Sequence, residues 1–205
     1  MLLRGSGPLP PWTFRSKVIK SASRMGLVVP KGREQTRVTS RRVRTYAADQ
    51  GVGMTEDEAK RFLAESRSVV KLGTVDASGD PNVHPVWYCF EEKGPALYAF
   101  VAKDTKKLRN IEERRRLYFD VDQDRWPYKG VRGKGEPRQL AGGAETMAIV
   151  EKILARYVKK SHPMFAHFLD AARKGSYVVV KITPRYFSTW DYGKMPADLL
   201  NAGLD

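Results

Sequence analysis

Cysteine occurs once in the 205 residues, at Cys89, and histidine only three times. A single thiol excludes an internal disulfide framework and favours a reducing compartment, so the expected location is cytoplasmic. No run of about eighteen apolar residues is present, which argues against a membrane-spanning helix. The soft metal ligands, His84, His162, His167 and Cys89, lack metal-site spacing. His162 and His167 are five apart, about 140° around a helix. His84 and Cys89, also five apart, point to opposite faces of a strand. There is no CxxC or HExxH pair, no GxSxG elbow, no P-loop and no dinucleotide-binding glycine fingerprint. No nucleophile, general acid, general base or metal is therefore singled out. An enzyme built on this chain would take its chemistry from a cofactor.

Acidic residues are scarce in one region only. Residues 1–53 hold eleven Lys/Arg against Glu34 and Asp49, a net +9 out of the chain's +14. The high pI thus belongs to the first quarter of the chain. That quarter has no sustained period, scatters Pro, Gly, Ser and Arg, and contains SRRVRT. It reads as a disordered basic N-terminal extension, compositionally like an organelle transit peptide or a dispensable leader before Met54. Nucleic acid is not an expected partner except through this arm.

From Met54 the pattern changes. Thr55 and Glu58 form a capping box in front of Ala59, Phe62 and Leu63, which lie on one helix face. SVVKLGTVD, PNVHPVWYCFE and ALYAFVA follow as three strands joined by the turn signals ASGD and Lys93-Gly94-Pro95. RLYFDVD and PYKGVRGKGEPRQL supply a fourth and fifth strand, the latter bent by its glycines and proline. Residues 144–158 and 162–173 carry apolar residues at helical spacing, and SYVVVKITPRYFSTWD closes the chain as a sixth strand. The expected fold is α+β: a six-stranded antiparallel split β-barrel over residues 54–205, with a leading helix and a helical insert before the last strand.

Alternation in the second strand puts Val83, Pro85, Trp87 and Cys89 on one face and His84, Val86, Tyr88 and Phe90 on the other. Both faces are largely apolar, which predicts burial on both sides. Cys89 reads as a small buried hydrophobe. His84 is the lone ionisable group of the strand, either a hydrogen-bonded core or interface histidine or a cofactor contact.

Residues 103–116, KDTKKLRNIEERRR, hold seven basic and three acidic side chains. Thr105 is positioned to cap a helix running from Lys106 to about Arg114, anchored inward by Leu108 and Ile111. Lys106 and Lys107 then occupy its first turn, where the macrodipole disfavours cations. A bound anion would remove that conflict, because free N–H groups, the Thr105 hydroxyl and two ammonium groups would converge on it. Arg114, Arg115 and Arg116 sit at the end that the dipole favours.

KLGTVDASGDPNVHPVWYCF, LYAFVAKDTKKLRNI and LYFDVDQDRWPYKGVRGKGE, in this order and spacing, resemble the pyridoxamine 5'-phosphate oxidase-like flavoproteins. The likeness covers about residues 55–140, and ITPRYFSTWD fits the last barrel strand; residues 1–53 have no counterpart. The resemblance implies a flavin-dependent oxidoreductase that binds FMN at a homodimer interface and transfers hydride to or from a small molecule. It implies that Thr105, Lys106 and Lys107 hold the cofactor phosphate, that His84, Val86 and Trp87 border the ring, and that Val101 lies beside the phosphate segment. Tyr128 falls where many members place a polar contact. Two alternatives stay open: a reductase using the deazaflavin coenzyme F-420 on the same fold, and a non-catalytic flavin carrier or nucleic-acid-binding protein using the basic arm. The C-terminal substrate signature of a true pyridoxamine phosphate oxidase is missing from STWDYGKMPADLLNAGLD, so vitamin B6 oxidation is not expected. The helical insert is expected to shape a different substrate pocket.

Overall fold

The computed structural model describes residues 42–47 and 51–201. The expected disordered extension lies outside the described residues up to residue 41. Its last part does not: β1 (Arg44–Ala47) is a strand. Next come α1 (Glu56–Glu65), β2 (Val70–Val75), β3 (Pro81–Glu91), β4 (Ala96–Ala102), α2 (Lys106–Arg114), β5 (Leu117–Gln123) and β6 (Lys129–Gln139). The insert is α3 (Ala144–Tyr157) and α4 (Pro163–Arg173), followed by β7 (Tyr177–Pro184), β8 (Tyr186–Asp191), a 3-10 turn (Tyr192–Lys194) and α5 (Ala197–Asn201). Among the described residues no helix is long and apolar enough to cross a membrane.

The barrel is a closed antiparallel ring of six strands in the order β2-β3-β4-β7-β6-β5. The expected single last strand is two. β7 pairs along β4 and with residues 135–139 of β6, while β8 pairs with residues 129–132 of the same β6 edge. The break falls at Arg185, whose N–H donates to the Lys134 carbonyl at 2.8 Å. One long strand thus serves two shorter ones, and at their junction Gly133 is required. A Cβ there would lie 2.2 Å from the Tyr186 carbonyl oxygen and 2.8 Å from Phe119.

Outside the ring, β1 pairs in parallel with β8. Thr189 at the centre of β8 is fully buried and ties in the approach to α1: its hydroxyl accepts the Met54 N–H at 2.9 Å and lies 3.3 Å from the Tyr46 carbonyl. Val43, Val52 and Met54 are buried, so the domain begins before residue 54. The capping box at α1 forms as the sequence predicts, with the Glu58 N–H donating to Thr55 Oγ1 and the Thr55 N–H to Glu58 Oε2.

Strand β3 divides two cores. Val86, Tyr88 and Phe90 point into the barrel with Leu72, Leu97, Val101, Phe119 and Ile182. Cys89 points outward and packs with Phe100 and Val179 beneath Val150, Ile153, Leu154 and Phe165 of the insert. Burial raises the Cys89 thiol to about 11, so it stays protonated and inert. The expectation of burial on both faces holds for residues 86–90 only. The insert does not reach the start of the strand, and Val83 is left 68% exposed.

Candidate cofactor-binding site

A cleft of about 240 Å³ opens where β3, β4, β7 and the insert meet the start of α2. Lys107, Val86 and Trp87, three of the residues named from sequence, line it together with Pro85, Phe100, Ala102, Phe168 and Tyr177. Its walls are aromatic pairs. Trp87 is stacked on Tyr157 at 5.3 Å, and Phe100 on Tyr177 at 4.5 Å. Phe168 from α4 meets Trp87, Phe100 and Tyr177 edge-on at 5.2, 6.3 and 5.6 Å. Among the described residues no carboxylate lines the cleft, and Lys107 is its one cation.

The start of α2 faces this cleft because the preceding turn is tightly set. Asp104 takes a left-handed backbone at φ 61°, and the Thr105 hydroxyl donates to the Ala102 carbonyl at 2.8 Å. Thr105 therefore occupies the N-cap position without a side-chain cap bond. The first-turn amides of Lys106 and Lys107 have no intrahelical acceptor, which leaves them available to an anion. The hydroxyl expected to join them has its proton committed to Ala102.

The two lysines divide. Lys106 is paired with Asp76 at 2.7 Å, whereas no ion pair involves Lys107 among the described residues. His84 is partly buried, and its Nδ1 is enclosed with no hydrogen-bond partner. Its pKa is lowered first by burial and then by the positive field of Lys107 and Lys106. Burial and that field both favour the neutral imidazole, and His84 is not part of the cleft lining.

Five residues named from sequence, Thr105, Lys106, His84, Val101 and Tyr128, are not in the cleft lining. Val101 is fully buried in the barrel core. Tyr128 precedes β6, edge-on to Trp126 at 5.6 Å, and is not part of the cleft lining. Conversely, Phe100, Phe168 and Tyr177 were not singled out. Phe168 and Tyr177 lie more than sixty residues from Val86 and Trp87, and helical periodicity marks Phe168 only as a core residue.

The family model described as Pyridoxamine 5'-phosphate oxidase matches residues 55–191. The chain belongs to this family. Among solved structures, a conserved hypothetical protein from Mycobacterium tuberculosis superposes with a TM-score of 0.60 at 19% identity, over 72% of this chain and 92% of that one. A candidate 5-nitroimidazole antibiotic resistance protein from Bacteroides thetaiotaomicron gives 0.53 at 14% identity, over 67% and 84%. A candidate pyridoxamine 5'-phosphate oxidase from Listeria innocua gives 0.50 at 16%, over 65% and 95%. None of the curated proteins is matched by this chain. As a pyridoxamine 5'-phosphate oxidase family member, the chain offers residues that fit a flat, phosphate-bearing cofactor: uncapped helix amides, a lysine without an ion pair among the described residues, and aromatic walls.

Proposed function

We propose that the chain is a flavin-dependent oxidoreductase that binds FMN in the cleft at the start of α2. The observation that carries this reading is Lys107, an unpaired cation at the head of an uncapped helix and on the wall of an acid-free aromatic cleft. Lys107 and the first-turn amides would hold the phosphate, with Thr105 setting the turn that aims them. Val86 and Trp87, on adjacent positions of β3, would border the ring. Phe168, Phe100 and Tyr177 would exclude water, and His84, outside the lining, would act on the cofactor's edge only through the neighbouring β3 backbone. When bound, the flavin supplies the capacity to accept or donate a hydride to a small molecule.

A homodimer fits the same reading. The cleft is smaller than the roughly 300–1,000 Å³ of sites that enclose a ligand of this size, so one chain walls only part of it. Val83 and Tyr118 flank Gly73 across three neighbouring strands, and Val75 continues that face; all three apolar side chains are exposed. A second copy covering this stripe would remove apolar surface from water and complete the site. The deazaflavin coenzyme F-420 would meet the same phosphate-binding groups.

The deciding experiment is an absorption spectrum and mass spectrum of the cofactor released from purified protein. FMN supports the proposal, and F-420 moves it to the deazaflavin reductase. Colourless protein that binds neither added compound overturns it.

A further inference from the structure

Three side chains on one face of α2, spaced four apart, all reach the end of β2 and the turn that follows. Lys106 Nζ pairs with Asp76 Oδ2 at 2.7 Å. One turn on, Asn110 Nδ2 donates to Thr74 Oγ1 at 3.1 Å, with both residues buried. One turn further, Arg114 donates to the carbonyls of Asp76 and Ala77 at 2.9 and 3.1 Å. Residues four apart stand one above the other on a helix, so these contacts form a continuous polar seam.

The seam has a task that packing alone does not meet. At nine residues α2 is shorter than the roughly 12–15 residues a helix needs to persist alone, and its buried apolar side chains are only Leu108 and Ile111. Its first turn carries two adjacent cations and no acid, the arrangement the macrodipole disfavours. Asp76 relieves this from the turn after β2. Its other oxygen accepts the Asp80 N–H at 2.9 Å, which fixes the carboxylate in place. The hydrogen bond from Lys106, followed by that from Asp80, holds Asp76 down at about 2, so it stays charged across the physiological range. Lys107, one residue on, is rotated by about 100° from the seam, and that turns it onto the cleft wall.

We infer that Asp76 is a positioning residue for the phosphate site: through Lys106 it sets the direction of α2, and so places Lys107 and the first-turn amides without touching the ligand. This rests on the phosphate-binding reading of α2 proposed above. Lys106 is thereby an anchor, and Lys107 is the phosphate cation.

The test compares FMN with riboflavin, which lacks the phosphate, by quenching of flavin fluorescence on titration. Wild type, Asp76→Asn, Lys106→Met, the double variant and Lys107→Met are titrated, with thermal unfolding of each as a control. Asp76→Asn and Lys106→Met are each expected to weaken FMN about five- to tenfold while changing riboflavin less than about twofold. The double variant is expected to be no worse than either single one, because both remove the same contact. Lys107→Met is expected to weaken FMN at least as much. Equal losses for FMN and riboflavin would reduce the seam to general support of the fold and overturn the inference. So would Asp76→Asn and Lys106→Met leaving FMN unchanged while Lys107→Met weakens it. Failure of Lys107→Met to affect FMN, or a wild type that does not prefer FMN to riboflavin, overturns the phosphate reading itself and this inference with it.

Discussion

The Arg156 guanidinium lies over the Tyr88 ring, 4.9 Å from its centroid, and joins the insert to the barrel. From α3 it donates to the carbonyls of Leu63, Ala64 and Ser66, at the C-terminal end of α1. That helix has no basic residue in its own last turn, so its terminal carbonyls are satisfied from 90 residues away. Tyr88 shares the duty, its hydroxyl donating to the Leu63 carbonyl at 2.8 Å.

Arg156→Met keeps much of the apolar stem and removes the donors. It should cost about 2–3 kcal/mol, because several partly buried carbonyls lose their partner at once. Denaturant unfolding checks this. Arg156→Lys should recover only part of the loss, since one ammonium cannot reproduce the planar fork.

Thr189→Val keeps the shape of β8 and leaves the Met54 N–H without an acceptor, an expected cost of about 1–3 kcal/mol. A chain beginning at Met54 loses the buried Val43 and Val52 and the β1 pairing. At about 1.5–3 kcal/mol for each valine, that truncation should lower thermal stability more than Thr189→Val does. A chain beginning at Arg42 retains these contacts and should melt above the chain beginning at Met54.

Gly133→Ala places a methyl group against the Tyr186 carbonyl, where backbone has to move. An expected cost of about 3 kcal/mol follows from overpacking. A control at Gly94, whose added Cβ meets nothing within 4 Å, should show almost none of this loss. Parallel unfolding curves separate the two.

His84 predicts a pH dependence. Its folded-state pKa lies below the 6.5 of the unfolded chain, so the unfolded state binds the proton more readily. Stability from this group is complete above about pH 6.5 and is lost as pH falls from there towards the lowered folded value. Unfolding free energies at pH 7.5 and 5.5 should differ less in His84→Gln than in wild type. An unchanged difference would mean that neither burial nor the two lysines lowers His84 in the folded state.

Much of this was legible in the sequence because it depends on short-range rules. The bounds of α2 follow from an extended Thr105, two inward apolar residues three apart and an arginine-rich end. The capping box before α1 and the alternation of faces along β3 are equally local. β1 was not legible: RTYA sits in a basic, patternless stretch, and it becomes a strand only because β8 offers a free edge and Thr189 a buried hydroxyl. The division of the last strand at Arg185 was hidden for a similar reason, since it depends on where β7 leaves the edge of β6 and β8 takes it over.

Sequence alone determined the family, the six barrel strands and the conflict of two lysines at a helix start, because spacing, turn chemistry and the macrodipole act within a few residues. Only the tertiary structure decided how that conflict is divided. Asp76, thirty residues away, takes Lys106, while Lys107 is turned towards rings contributed by β3, β4, α4 and β7. Pairing between charges depends on distance in space, and the chain sets that distance only once the barrel has closed.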